Sequence, residues 1–222
     1  MKKIMLSTFL SLVTIVAFAQ LPTFGIKGGV NFAQYIQPGY PSSQFLTTFN
    51  GGIFADFKLG SFSLQPALNY TGKGGNYNGK ETLTDAQGNN FKTVNTLFVQ
   101  KLYYVELPVN LIYHVPVVIG NIYFGAGPYI ARGISANSTF TGAIYTGEVV
   151  TQKEDINFGN GDHDLNAIQF GADAIAGLKF NNGFLLNVNY DLGLTNDMVT
   201  KPYTTGVSKS RVLGISIGYC FL

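Results

Sequence analysis

Large apolar side chains recur at every second position through most of the chain. Over residues 211–221, Leu213, Ile215, Ile217, Tyr219 and Phe221 alternate with Gly214, Ser216, Gly218 and Cys220. Successive side chains of a strand point to opposite faces, so this segment has one large apolar face and one small, polar face. A helical period scatters the same residues around the axis. The pattern recurs over residues 24–32, 49–59, 62–70, 102–113, 121–131, 167–180 and 184–194. Segment 102–113 is among the cleanest, with Tyr103, Val105, Leu107, Val109, Leu111 and Tyr113 against Tyr104, Glu106, Pro108, Asn110 and Ile112. Two positions break the rule. Phe54 falls on a polar face, and Pro66 costs a ladder bond and predicts a local irregularity.

Eight strands of this length match the ~9–11 residues that cross a bilayer at a tilt. Their connections alternate long and short. Gly60-Ser61, the stretch near 115–120 and Asn181-Asn182-Gly183 are short. The last is a strong hairpin signal. Residues 72–100 are expected to be mostly loop, with 93–99 able to extend a strand beyond the membrane, and 132–166 is expected to be the longest break. All short turns then lie at one end and all long loops at the other, as in bacterial outer-membrane barrels with both termini inside. The predicted fold is all-β: an eight-stranded antiparallel transmembrane up-and-down β-barrel with short periplasmic turns and long extracellular loops.

Alternation alone does not say which face is outside. A soluble, lipocalin-like barrel turns its apolar face inward instead. Three features favour lipid. The large face carries no charge in any strand, Arg211 at the very start of the last one aside. The small face is rich in Gly, Asn and Ser and carries both signs of charge. Aromatic residues recur near strand ends, at Phe24, Phe62, Tyr70, Tyr103, Tyr113, Phe180, Phe184 and Phe221, as interfacial girdles require.

Composition sharpens this picture. Charge is sparse at 12 % and aromatics reach 14 %, with 27 Gly, a mix suited to strands and turns. Residues 1–19 read as a signal peptide: Lys2 and Lys3, an apolar run over 4–18, and the small-x-small site Ala17-Phe18-Ala19 before Gln20. Residues 20–222 then form the barrel domain. Without Lys2 and Lys3 the 14 basic residues become 12, equal to the 12 acidic ones. That neutrality argues against nucleic acid as a partner. Cys220 is the only cysteine, so an internal disulfide and a cysteine metal site are excluded.

Several short motifs, in order, resemble the PorT-like outer-membrane β-barrel family. They are Phe24-Gly-Ile-Lys-Gly-Gly-Val-Asn, Tyr103-Tyr-Val-Glu-Leu-Pro-Val-Asn-Leu, Tyr123-Phe-Gly-Ala-Gly-Pro-Tyr, Gly177-Leu-Lys-Phe-Asn-Asn-Gly and Gly214-Ile-Ser-Ile-Gly-Tyr-Cys-Phe. The resemblance covers essentially the whole chain after the signal segment. It implies the outer membrane of a Gram-negative cell, with lipid and the barrel-assembly machinery as partners, but no single activity. Such barrels often end on an aromatic residue, whereas here Phe221 is followed by Leu222.

An eight-stranded barrel is just wide enough for side chains to fill. Lys27, Lys58 and Lys179 with Asp56, Glu106, Asp173 and Asp191 are therefore expected to form a lumen network of ion pairs and hydrogen bonds. The non-enzymatic reading is a structural or interaction barrel that presents its external loops to an envelope protein or glycan and assists secretion or adhesion. One alternative is a narrow ion or small-solute path. A second is a lipid- or peptide-modifying enzyme using His114 or His163, with Ser135 or Ser138 drawn as nucleophile. The acidic loop 155–164 spaces oxygen ligands around glycine but lacks the pattern of a helix-flanked calcium loop. No catalytic, metal or cofactor site is expected.

Overall fold

A computed structural model describes residues 21–36, 43–84, 90–143, 148–159, 165–196 and 208–221. The strands are β1 (Thr23–Ile36), β2 (Leu46–Leu59), β3 (Phe62–Thr84), β4 (Asn90–Val117), β5 (Gly120–Ala143), β6 (Val149–Ile156), β7 (Ile168–Phe180), β8 (Phe184–Gly193) and β9 (Lys209–Cys220). All pairings are antiparallel. The order β4-β3-β2-β1-β9-β8-β7-β5-β6, with an added β4–β5 pairing, closes eight strands into a ring. β1 and β9 join along the seam from Gly25 opposite Cys220 to Ile36 opposite Lys209. The ninth strand, β6, lies outside the ring and continues the edge of β5 above β7.

The ring leaves no lateral edge over its common height, so its backbone groups bond strand to strand. Side chains sort by face. Ile217 is 67 % exposed, while Ser216 beside it is 2 % exposed. The apolar face points out and the small, polar face points in, so the inverted, lipocalin-like arrangement is ruled out. At Pro66 the β2–β3 ladder is interrupted between the pairs Phe54–Ala67 and Phe57–Leu64, as the missing N–H requires.

Three inward rings explain part of the glycine content. Phe54, Tyr123 and Tyr129 stand directly opposite Gly25, Gly177 and Gly171. A Cβ on any of these glycines meets the facing ring at 2.2–2.4 Å. The rings lie where those side chains would be, and Phe54 packs with Ala67, Leu185 and Cys220. Phe54 is thus an inward filler rather than a break in the pattern.

Two expected loops are strands. β3 and β4 run through most of 72–100, and β5 and β6 occupy much of 132–166. Segment 102–113 is the middle of a 28-residue strand. The Lys73-Gly74-Gly75-Asn76 run is not a turn. Gly74 has φ +140° and approaches the carbonyl of Gln100 so closely that a Cβ would lie 2.1 Å from it. Its glycines serve strand contact. In β5 the register shifts between the pairs Tyr103–Ser135 and Tyr104–Gly133. This bulge resets which residues point inward, so Ala136 and Ser138 remain on the buried face. The short turns carry Gly60 and Gly183 at φ +67° and +90°, the left-handed conformation glycine tolerates.

Candidate functional site: the lumen and its two mouths

The deepest charged group is Lys73, which sequence reasoning placed in a loop. Its position three residues beyond Tyr70 preserves the inward parity of Gln65, Ala67 and Thr71 on β3, and that parity is the signal that finds it. Lys73 Nζ donates to Glu106 Oε2 at 2.8 Å, with the two side chains 1 % and 3 % exposed. It also donates to the Tyr129 hydroxyl at 3.3 Å and to Gln169 Oε1 at 3.4 Å. Those acceptors match the three N–H bonds of an ammonium. Nζ lies 4.4 Å from the Tyr129 ring centroid and 5.3 Å from that of Tyr104, within cation–π range. Gln169 Nε2 in turn donates to the Tyr104 hydroxyl at 2.9 Å. Towards the long-hairpin end this layer is capped by an apolar cluster that includes Tyr35, Leu102 and Leu165, with Phe158 against it.

Below that layer the ring is filled by hydrogen-bonded amides and carboxylates. Asn31 Nδ2 donates to Thr71 Oγ1 at 2.9 Å and to the Gly72 carbonyl at 3.0 Å. Asn50 and Ser216 extend the network. Asp173 and Asp191 stand directly opposite one another on β7 and β8. Asp173 accepts from Asn110 at 2.6 Å, and Asp191 from Asn189 at 2.8 Å. Among the described residues no lysine other than Lys73 reaches a carboxylate within ion-pair distance. Lys27 and Lys179 are half-buried, and Lys58 is exposed at the short-turn mouth with Asp56 buried above it.

Among the described residues, those drawn for chemistry do not assemble. Ser135 pairs with Tyr103 and His114 pairs with Tyr123. Tyr103 and His114 are thus eleven positions apart on β4, roughly 36 Å along a strand. His114 instead has Ser63 as neighbour, with Oγ 2.8 Å from Nε2. Asp56 Oδ2 lies 4.0 Å from the same nitrogen. A relay needs the acid on the other ring nitrogen. His163, with the rest of 160–164, lies outside the described residues; of the acidic loop weighed for calcium, 155–159 are described, and Asp155 is an exposed residue of β6.

Outside, aromatic rings gather at two levels. Towards the long-hairpin end Phe49 and Tyr103 each stack on Tyr70 at 5.6 Å and meet one another tilted at 5.7 Å. Phe62, Tyr113 and Phe124 form a contiguous set at the other end, and Phe184, Tyr219 and Phe221 a second one there. Tyr103 and Tyr113 are ten positions apart, roughly 33 Å along a strand and about 25 Å in height at a tilt near 40°. Beyond the upper level the outward face of β3–β6 becomes mixed, with Asn78, Thr82, Thr141, Thr151 and Lys153 beside Leu97 and Val149.

An apolar exterior between two aromatic belts, around a charged and largely filled interior, defines a β protein built for a membrane rather than for water. Residues 18–197 match the family described as outer membrane protein beta-barrel domain, and the chain belongs to that family. It is an outer-membrane protein. Among solved structures it is similar to Ail, the attachment invasion locus protein of Yersinia pestis, with 12 % identity over 91 % of this chain and 100 % of that one at a TM-score of 0.43. It is also similar to Neisserial surface protein A, with 12 % identity over 89 % and 97 % at 0.46. A third is the N-terminal β-barrel domain of Pseudomonas aeruginosa OprF, with 12 % identity over 90 % and 99 % at 0.30. No curated protein matches the chain.

Proposed function

We propose that the ring is an eight-stranded transmembrane barrel of the PorT-like kind. Its short turns lie in the periplasm, and its work is non-enzymatic: to hold an external sheet where an envelope protein or glycan meets it, in support of secretion or adhesion. The observation that carries this reading is strand length. β3, β4 and β5 have 23, 28 and 24 residues, about twice the ~9–11 a bilayer needs. The surplus, with β6, forms a four-stranded sheet standing beyond the upper aromatic belt. Its outward face carries threonine pairs, Thr82–Thr93 at 3.3 Å and Thr141–Thr151 at 3.1 Å. The Lys73 layer and its apolar cap support an occluded lumen.

The test shortens the hairpin. Asn76 and Val99 are ladder partners, so residues 77–98 can be replaced by a two-residue Asn-Gly turn. The shortened chain is expected to keep its outer-membrane location and heat-dependent gel shift while cells lose the adherence or secretion that the full chain supports. Unchanged adherence and secretion refutes the reading. A second reading, a narrow ion path, draws on charged inward residues at successive levels from Lys27 through Asp173 and Glu106 to Lys73. Planar-bilayer conductance that changes on Asp173→Asn would favour it.

A further inference from the structure

Near the short-turn mouth the inward side chains leave a cavity of about 20 Å³ that opens outward, above the ~10–15 Å³ that one water requires. Two polar atoms in its wall lack partners: Asp56 Oδ1 and Asn187 Nδ2. Both residues are buried, at 4 % and 2 % exposed. The Asn187 amide is held from its other side, where Oδ1 accepts from the Tyr123 hydroxyl at 3.0 Å. Its Nδ2 is left as a donor. Unpaired groups of this kind are costly and point to a missing partner. The same wall holds Lys27 and Lys179, neither of which has a carboxylate within ion-pair distance among the described residues. The wall thus holds two lysines and His114 against a single carboxylate, Asp56, with Lys58 exposed nearby at the mouth.

We propose that this cavity binds hydrogen phosphate. The two lysines and the Asn187 amide supply donors to an anion. Asp56 Oδ1 demands the reverse, an O–H from the ligand. A carboxylate or sulfate offers no such proton at neutral pH and meets Asp56 as a like charge. Inorganic phosphate keeps a P–O–H throughout the neutral range and has the same tetrahedral shape as sulfate. Because the cavity opens on the mouth, one or two phosphate oxygens enter while the rest stay hydrated. Water alone leaves the two lysine charges of the wall without a counter-charge.

The experiment uses the full chain refolded in detergent, its fold checked by the gel shift, and titrates inorganic phosphate and sulfate separately by calorimetry in chloride buffer. Phosphate is expected to bind and sulfate to bind at least tenfold more weakly. Lys179→Gln is expected to weaken phosphate at least fivefold. Asp56→Asn, which removes the charge and adds a donor, is expected to bring sulfate close to phosphate. The shortened-hairpin chain should bind phosphate unchanged, so failure of the external-sheet reading leaves this result standing. No phosphate heat, or equal binding of sulfate by the unaltered chain, overturns the proposal. That comparison decides even if Asp56→Asn does not fold.

Discussion

Replacing Lys73 by Met removes the one buried cation that meets Glu106 and leaves that carboxylate, 2 % exposed, without its counter-charge. The side-chain volume changes little, so the effect is electrostatic rather than a cavity. Breaking one partner of a buried ion pair costs about 3–5 kcal/mol. The contacts to Tyr129 and Gln169 are long at 3.3 and 3.4 Å and add little. The lost cation–π contacts, up to about 2 kcal/mol when desolvated, are partly offset by sulfur–aromatic contacts of about 0.3–1.5 kcal/mol. The net expectation is therefore about 3–5 kcal/mol, at least a hundredfold in the folding equilibrium. The chain has no Trp, so urea unfolding in lipid vesicles is best followed by circular dichroism and by the boiled-versus-unboiled gel shift. Lys73→Met with Glu106→Gln should recover at least about 1 kcal/mol, because contacting sites couple by about 0.5–3 kcal/mol. A cost for Lys73→Met below about 1 kcal/mol, the range of exposed pairs, would refute the placement of this ammonium in the lumen.

Four further outcomes follow from the geometry. Val109→Arg, midway between the belts at Tyr103 and Tyr113, should cost about 2–4 kcal/mol in lipid, whereas Val115→Arg, beyond Tyr113, should cost about 0–1 kcal/mol; equal costs in vesicle unfolding would count against a bilayer between those belts. Gly177→Val should destabilise by about 1–3 kcal/mol through overpacking against the Leu186 carbonyl and the Tyr123 ring, with only the ring's share recovered by Tyr123→Ala in the same assay. Cys220, buried and the only cysteine, should resist maleimide in the unboiled band and react in the boiled one; rapid labelling of the folded band contradicts its place beside Phe54 and Leu185. Leu102→Ala, in the cap above Lys73, should cost about 2–5 kcal/mol by cavity formation, read from the urea midpoint.

Much of the ring was legible before any coordinates. The period of two fixes which residues share a face, so Leu213, Ile215 and Ile217 against Gly214 and Ser216 already separate an apolar face from a polar one. The Asn181-Asn182-Gly183 turn was legible because its left-handed residue must be glycine. The long hairpins were not. Many of their outward positions are Thr, Asn and Lys, with only scattered Leu97, Val99 and Val149 between them, so the alternation that marks a lipid-facing strand fades where the membrane ends. Glycine misled for a related reason: at Gly74 it permits close strand approach, yet in sequence it looks like a turn.

By itself, then, the sequence determined the membrane-height strands, the face each residue takes and the short turns, since these depend on local period and backbone conformation. Only the tertiary structure decided what each inward side chain meets. Glu106 meets Lys73 rather than Lys27, Lys58 or Lys179, and Phe54 meets Gly25. The stagger between strands sets which positions share a level of the ring. That stagger is a property of the closed sheet and of no single strand.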